Sequence, residues 1–150
     1  MGRAGLLFLK KVNKDEKIVF YKVLKLLSKK NYSENELRNK LNSVDNDIVN
    51  RIIEKLKEKG LIDDKKYSHD IVERYLERGK GFYYIINILK RKGFNEEIIN
   101  QIRQNFDFEK EYRVAQALIK KRKNKGKNNL FLYLKGRGFS SETINKIIER

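Results

Sequence analysis

The chain of 150 residues contains no cysteine, no proline and one histidine. Without cysteine there is neither a disulfide framework nor a thiolate zinc site, which fits a reducing cytoplasm. Without proline, no position forbids helix on backbone grounds. His69 has no second histidine or cysteine to share a metal with, so a metal site would have to be built from carboxylates. Long apolar runs are missing as well. None approaches the roughly 20 residues of a membrane span, and the patch at 5–9 is shorter than the roughly 7–15 residues of a signal-peptide core. No P-loop, dinucleotide fingerprint or Ser/His/Asp arrangement occurs. The expectation is a cytoplasmic protein that is not an enzyme, with no catalytic, cofactor-binding or metal-binding residues and no membrane partner.

Negative charge is also scarce. Lys and Arg number 36 against 20 Asp and Glu, a formal net charge of +16. Such an excess points to a polyanionic partner, nucleic acid or nucleoprotein, although a Lys-, Asn- and Ile-rich composition alone also yields basic proteins. The excess is uneven. Residues 1–62 carry 15 basic and 8 acidic side chains, residues 63–106 carry 9 and 7, and residues 107–150 carry 12 and 5.

What the sequence does contain is a repeat. Residues 80–102 return at 125–147, with ten identities that include Gly81/Gly126, Leu89/Leu134, Gly93/Gly138, Phe94/Phe139 and Ile99/Ile144. A fixed internal period means one supersecondary unit written twice. Phe82, Ile85, Ile86 and Leu89 fall at i, i+3, i+4 and i+7, the stripe of an amphipathic helix. Gly93 follows where a left-handed residue ends a helix. Asn95 is the expected N-cap of the next helix, with Glu96 and Glu97 in its first turn. In the second copy Leu130, Phe131 and Leu134 form the stripe, Gly138 ends it and Ser140 caps.

The remaining chain reads the same way. Residues 1–14 are an N-terminal extension. A helix from about residue 15 carries Phe20, Val23, Leu24 and Leu27. Ser33 with Glu36 makes a capping box. Asp45 caps a helix with Val49, Ile52, Ile53 and Leu56, which Gly60 ends. Asp63 or Asp64 caps a helix bearing Tyr67, Ile71 and Tyr75, and Asp107, Glu109 and Glu111 form the acidic start of another. The fold expected is all-α, with three three-helix repeats at 15–62, 63–106 and 107–150, and a cut after residue 106 is expected to leave the first two folded.

Candidate binding residues follow from charge. Lys120, Lys121, Arg122, Lys123, Lys125 and Lys127 form a basic run suited to phosphates or an acidic groove, or simply a solvated helix end. Lys90, Arg91 and Lys92 recur as Lys135 and Arg137 at the matching turn, which favours a periodic contact surface over scattered surface charge. Tyr83, Tyr84 and Tyr133 could stack on bases or anchor an interface, although tyrosines at helical spacing more often serve the core.

The junction Gly60-Leu61-Ile62-Asp63-Asp64 with Tyr67, the closure Gly79-Lys80-Gly81, the Leu-x-x-Lys-Gly-Phe turn at 89–94 and the Tyr-Leu-x-x-Arg-Gly-Phe-Ser run at 133–140 together resemble the RecX family, regulators of the bacterial recombinase RecA. The resemblance covers about residues 15–150. It departs at Tyr75, where the family often has arginine, and in the first unit, which lacks the Lys-Gly-Phe turn. It implies tandem three-helix repeats in an elongated, curved arrangement. It also implies binding along the helical groove of the RecA–DNA filament, most often limiting recombination and co-protease activity. The expected state is a monomer, and any direct DNA contact is expected to be weak or non-specific. The competing reading is a sequence-independent DNA-binding module acting without RecA.

Overall fold

The structure, a computed structural model, describes the backbone of residues 3–122 and 127–149 and the side chains of residues 15–122 and 129–149. Among the described residues all regular structure is helical, in nine segments: α1 (Arg3–Lys29), α2 (Glu34–Lys40), α3 (Asn46–Glu58), α4 (Asp64–Glu77), α5 (Phe82–Arg91), α6 (Glu96–Asn105), α7 (Phe108–Lys121), α8 (Lys127–Gly136) and α9 (Ser141–Ile148). The N-terminal extension is helical from Arg3 and continuous with α1. Among the described residues no helix is long and apolar enough to cross a membrane.

The helix boundaries have local causes. The Ser33 hydroxyl accepts the Glu36 amide while the Glu36 carboxylate accepts the Ser33 amide, a reciprocal capping box. Asp45, Asn95, Asp107 and Ser140 cap α3, α6, α7 and α9 through side-chain oxygens. The two repeated turns share one geometry. The Phe94 amide reaches back to the Leu89 carbonyl and Gly93 to Lys90; Phe139 likewise reaches Leu134 and Gly138 reaches Lys135. Gly93 and Gly138 hold φ of 78° and 85°, the left-handed residue that such a turn requires.

The backbone gathers into two compact units, Met1–Asp64 and Lys65–Arg150. The first packs Val23, Leu37, Val49, Ile52, Ile53 and Leu56 from α1, α2 and α3. Asp64 departs from its expected role. It is the first residue of α4, and its Oδ1 accepts the Glu34 amide at 3.0 Å, so it caps α2 from 30 residues away. Burial raises its pKa; the Glu34 amide bond and, more weakly, Lys57 oppose that shift. Lys57 bonds Glu34 at 2.6 Å, and that hydrogen bond raises the lysine's own pKa.

The second unit holds two helix triplets, α4–α6 and α7–α9. One core contains Ile71, Leu76, Ile85, Leu89, Ile99 and Ile102, and the other Ala115, Leu134, Phe139 and Ile144. Phe82, Phe106 and Phe108 form a ring cluster with centroids 4.9–5.3 Å apart. Phe131 leaves the expected stripe: it is 39% exposed and Leu132 beside it 65%, while Leu134 alone is fully buried. The inward arc of α8 is narrower than the sequence pattern implies.

Candidate functional site

The two triplets of the second unit meet backbone to backbone. The Gly81 amide donates to the Arg137 carbonyl at 2.9 Å and the Tyr83 amide to Gly138 at 2.8 Å. No side chain fits between them. A Cβ on Gly81 would stand 2.4 Å from Phe139 Cα, and one on Gly138 would stand 2.5 Å from the Tyr84 nitrogen. Gly138 therefore does two jobs: it ends its own helix and also admits the neighbouring triplet.

Glu111 seals this joint. It is fully buried. Its Oε2 accepts the Phe82 amide at 2.7 Å, and its Oε1 accepts the hydroxyls of Ser140 and Thr143, each at 2.5 Å. The Ser140 amide approaches both oxygens at 3.3 Å. One carboxylate thus caps α5, which has no side-chain cap of its own, and grips the start of α9. The sequence pattern places Glu111 beside Glu109 as one more acid in a helix's first turn. The structure separates them, since Glu109 is exposed and pairs with Lys146.

Cations and tyrosines surround the joint. The Arg137 guanidinium donates to the carbonyls of Gly79 at 2.8 Å and Arg78 at 3.1 Å, and lies 5.5 Å from the Tyr133 ring centre. Arg122 stacks on Tyr133 at 3.6 Å, with its Nε buried and without a hydrogen-bond partner among the described residues. Tyr75 and Tyr84 pack ring to ring at 5.7 Å, with Arg78 over the first and Lys80 over the second. Tyr84 and Tyr133 are half-buried, whereas Tyr83 is 54% exposed. Arg–tyrosine stacks of this kind keep cations ordered while part of each guanidinium stays available.

The sequence candidates thus fall in several places. Arg122 and Arg137 meet on Tyr133. Lys120 and Lys121 are exposed at the end of α7. Lys123 and Lys125 lie outside the described residues, as does the side chain of Lys127. Lys135 is exposed, its ammonium 5.5 Å from the Phe131 ring centre. Lys90 and Arg91 are exposed at the α5–α6 turn, and Lys92 lies over Tyr67. Tyr75 and Arg78 belong to the cluster but carry no repeat signal that would single them out; Lys80 lies within the repeat, matched by Lys125. Among the described residues no group of three or more His, Asp or Glu side chains could hold a metal ion.

Helix triplets in tandem, locked by glycine contacts and a buried carboxylate and rimmed by arginine and tyrosine, define an all-α repeat protein. Comparison gives the family. The regulatory protein RecX of Clostridium perfringens (strain SM101 / Type A) is 31% identical over 156 residues, covering 95% of this chain and 73% of that one. RecX of Chlorobium phaeobacteroides (strain BS1) is 27% identical, covering 91% and 95%. The crystal structure of RecX from Lactobacillus salivarius superposes with a TM-score of 0.82 at 26% identity, over 91% of this chain and 96% of that one. A second RecX crystal structure, at 22% identity, shares the fold with a TM-score of 0.80. No family model matches the chain. The chain belongs to the RecX family of regulatory proteins.

Proposed function

We propose that the protein binds a RecA–DNA filament and limits RecA recombinase and co-protease activity, as a monomeric, non-enzymatic cytoplasmic regulator. The observation that carries the reading is the joint of the second unit. It fixes two helix triplets as one body and sets Arg78, Arg122 and Arg137 beside Tyr75, Tyr84 and Tyr133 on it. An ordered cationic surface can engage a regular polyanionic assembly without first ordering itself, which lowers the entropic cost of binding. The net charge of +16 draws the protein to such a target. Contact with DNA inside the filament adds a sequence-independent component through lysine and arginine.

The test is RecA-catalysed strand exchange and DNA-dependent ATP hydrolysis, with the protein added below one copy per RecA subunit. Inhibition at that ratio is expected. Full activity even at equimolar protein would refute the proposal. The second reading, a DNA-binding module independent of RecA, draws on the same charge and the half-buried tyrosines. It predicts equal affinity for naked and RecA-coated strands at matched salt.

A further inference from the structure

The first unit carries a charged groove that its own core does not explain. Lys22, Lys25, Leu26 and Lys29 fall at i, i+3, i+4 and i+7 of α1, along roughly 10 Å of helix. The end of α2 supplies Lys40 and Leu41 opposite them. These residues line an open groove of about 650 Å³. All four lysines are exposed, Leu26 is half-buried, and no acidic side chain lies among the described lining residues.

Helix dipoles account for part of this charge and no more. Lys29 and Lys40 sit in the last turns of α1 and α2, where cations are favoured. Lys22 and Lys25 lie one to two turns earlier, where that effect has faded. The floor is equally specific. Leu26 and Leu41 are aliphatic, and Tyr32 beside Lys40 is 8% exposed, its ring covered by Lys30 at 4.7 Å and Lys40 at 5.9 Å. Among the described lining residues a nucleic-acid strand would find charge but no ring to stack on and no arginine fork. A protein segment with carboxylates flanking an aliphatic side chain satisfies both rim and floor, the arrangement by which an amphipathic helix enters a groove.

We infer that this groove seats an acidic, amphipathic segment of a protein partner, carboxylates on the lysine rim and an aliphatic side chain on Leu26 and Leu41. The inference rests on the function proposed above and assigns the groove to the protein component of the filament, not its nucleic acid. The experiment titrates the full chain against RecA-coated single strands and against naked single strands at matched salt. Four forms are compared: wild type, Lys22/Lys25/Lys29/Lys40→Gln, a control of equal charge with Lys17/Lys55/Lys59/Lys65→Gln, and Leu26→Ala. Urea melts confirm that each is folded. The groove variant is expected to lose about tenfold more filament affinity than the control, while the two lose naked-strand affinity alike. Leu26→Ala is expected to weaken filament binding severalfold with an unchanged salt slope, because it removes floor and no charge. Equal filament losses in groove and control variants, or an indifferent Leu26→Ala, would overturn the inference while leaving the proposed function standing. A groove-variant loss larger on naked strands would reassign the groove to phosphates. Failure of the wild type to bind coated strands at all would sink the proposed function and the groove with it.

Discussion

Replacing Glu111 with alanine should separate the two triplets of the second unit. The side chain is fully buried and accepts the Phe82 amide and the hydroxyls of Ser140 and Thr143. Each buried donor left without an acceptor costs about 1–3 kcal/mol. The two hydroxyls can rotate toward other acceptors, but the Phe82 amide is fixed at the first turn of α5 and cannot. Counting that amide in full and the hydroxyls in part gives a loss of about 3 kcal/mol. At about 4–8 °C per kcal/mol for a unit of this size, the midpoint should fall by roughly 12–24 °C. Glu111→Gln keeps one acceptor oxygen for Phe82 and should cost about half as much. Glu109→Ala is the control. Its exposed carboxylate only pairs with Lys146, so the change should stay within about 0.5 kcal/mol. The assay is thermal unfolding followed by circular dichroism, with urea melts alongside. A midpoint for Glu111→Ala within about 2 °C of wild type would refute the view that this carboxylate holds the joint.

Gly138→Ala should destabilise more than Gly60→Ala. Both strain a left-handed backbone by about 1–2 kcal/mol, but a Cβ on Gly60 meets nothing within 4 Å, whereas one on Gly138 runs into the Tyr84 backbone at 2.5 Å; equal losses in urea melts would contradict the close-approach argument. Asp64 has a folded-state pKa raised chiefly by burial, so its charged form weakens the fold at neutral pH, and that cost is relieved as pH falls from the raised value through 3.8. Asp64→Asn keeps an acceptor for the Glu34 amide and should match or exceed wild-type stability at pH 7, its advantage shrinking by pH 4, whereas Asp64→Ala should be less stable; Asn and Ala behaving alike would remove the α2 cap from the account. The logarithm of filament affinity should fall linearly with the logarithm of salt concentration, since bound lysines and arginines displace counterions; a flat plot would put the charge outside the interface.

Much of the fold is legible in the sequence because its causes are local. Apolar stripes such as Ile85, Ile86 and Leu89, caps at Ser33, Asn95 and Ser140, and the glycine turns at 93 and 138 all act within a few residues. What is not legible depends on residues brought together from far along the chain. Glu111 looks like any first-turn acid until Phe82, 29 residues earlier, delivers its amide. Asp64 looks like a cap for its own helix but serves Glu34. Gly81 reads as a helix boundary, and its contact with Phe139 has no sequence signature. For the same reason a cut after residue 106 takes away more than one repeat: it removes Glu111, the acceptor of the Phe82 amide, and Phe108, which packs on the Phe82 ring. In the proposed binding region charge and repetition single out Arg122 and Arg137, yet the stacking of both on Tyr133 and the nearness of Arg78 and Tyr75 come only from tertiary packing.

The most direct test of the account is a competition between RecA-coated and naked single strands of one length, at one salt concentration, for the full-length protein. The account predicts a clear preference for the coated strand, about tenfold or more, with both affinities weakening as salt rises. Equal affinity for the two, or a preference for the naked strand, would contradict it and leave a plain DNA-binding protein on a RecX fold.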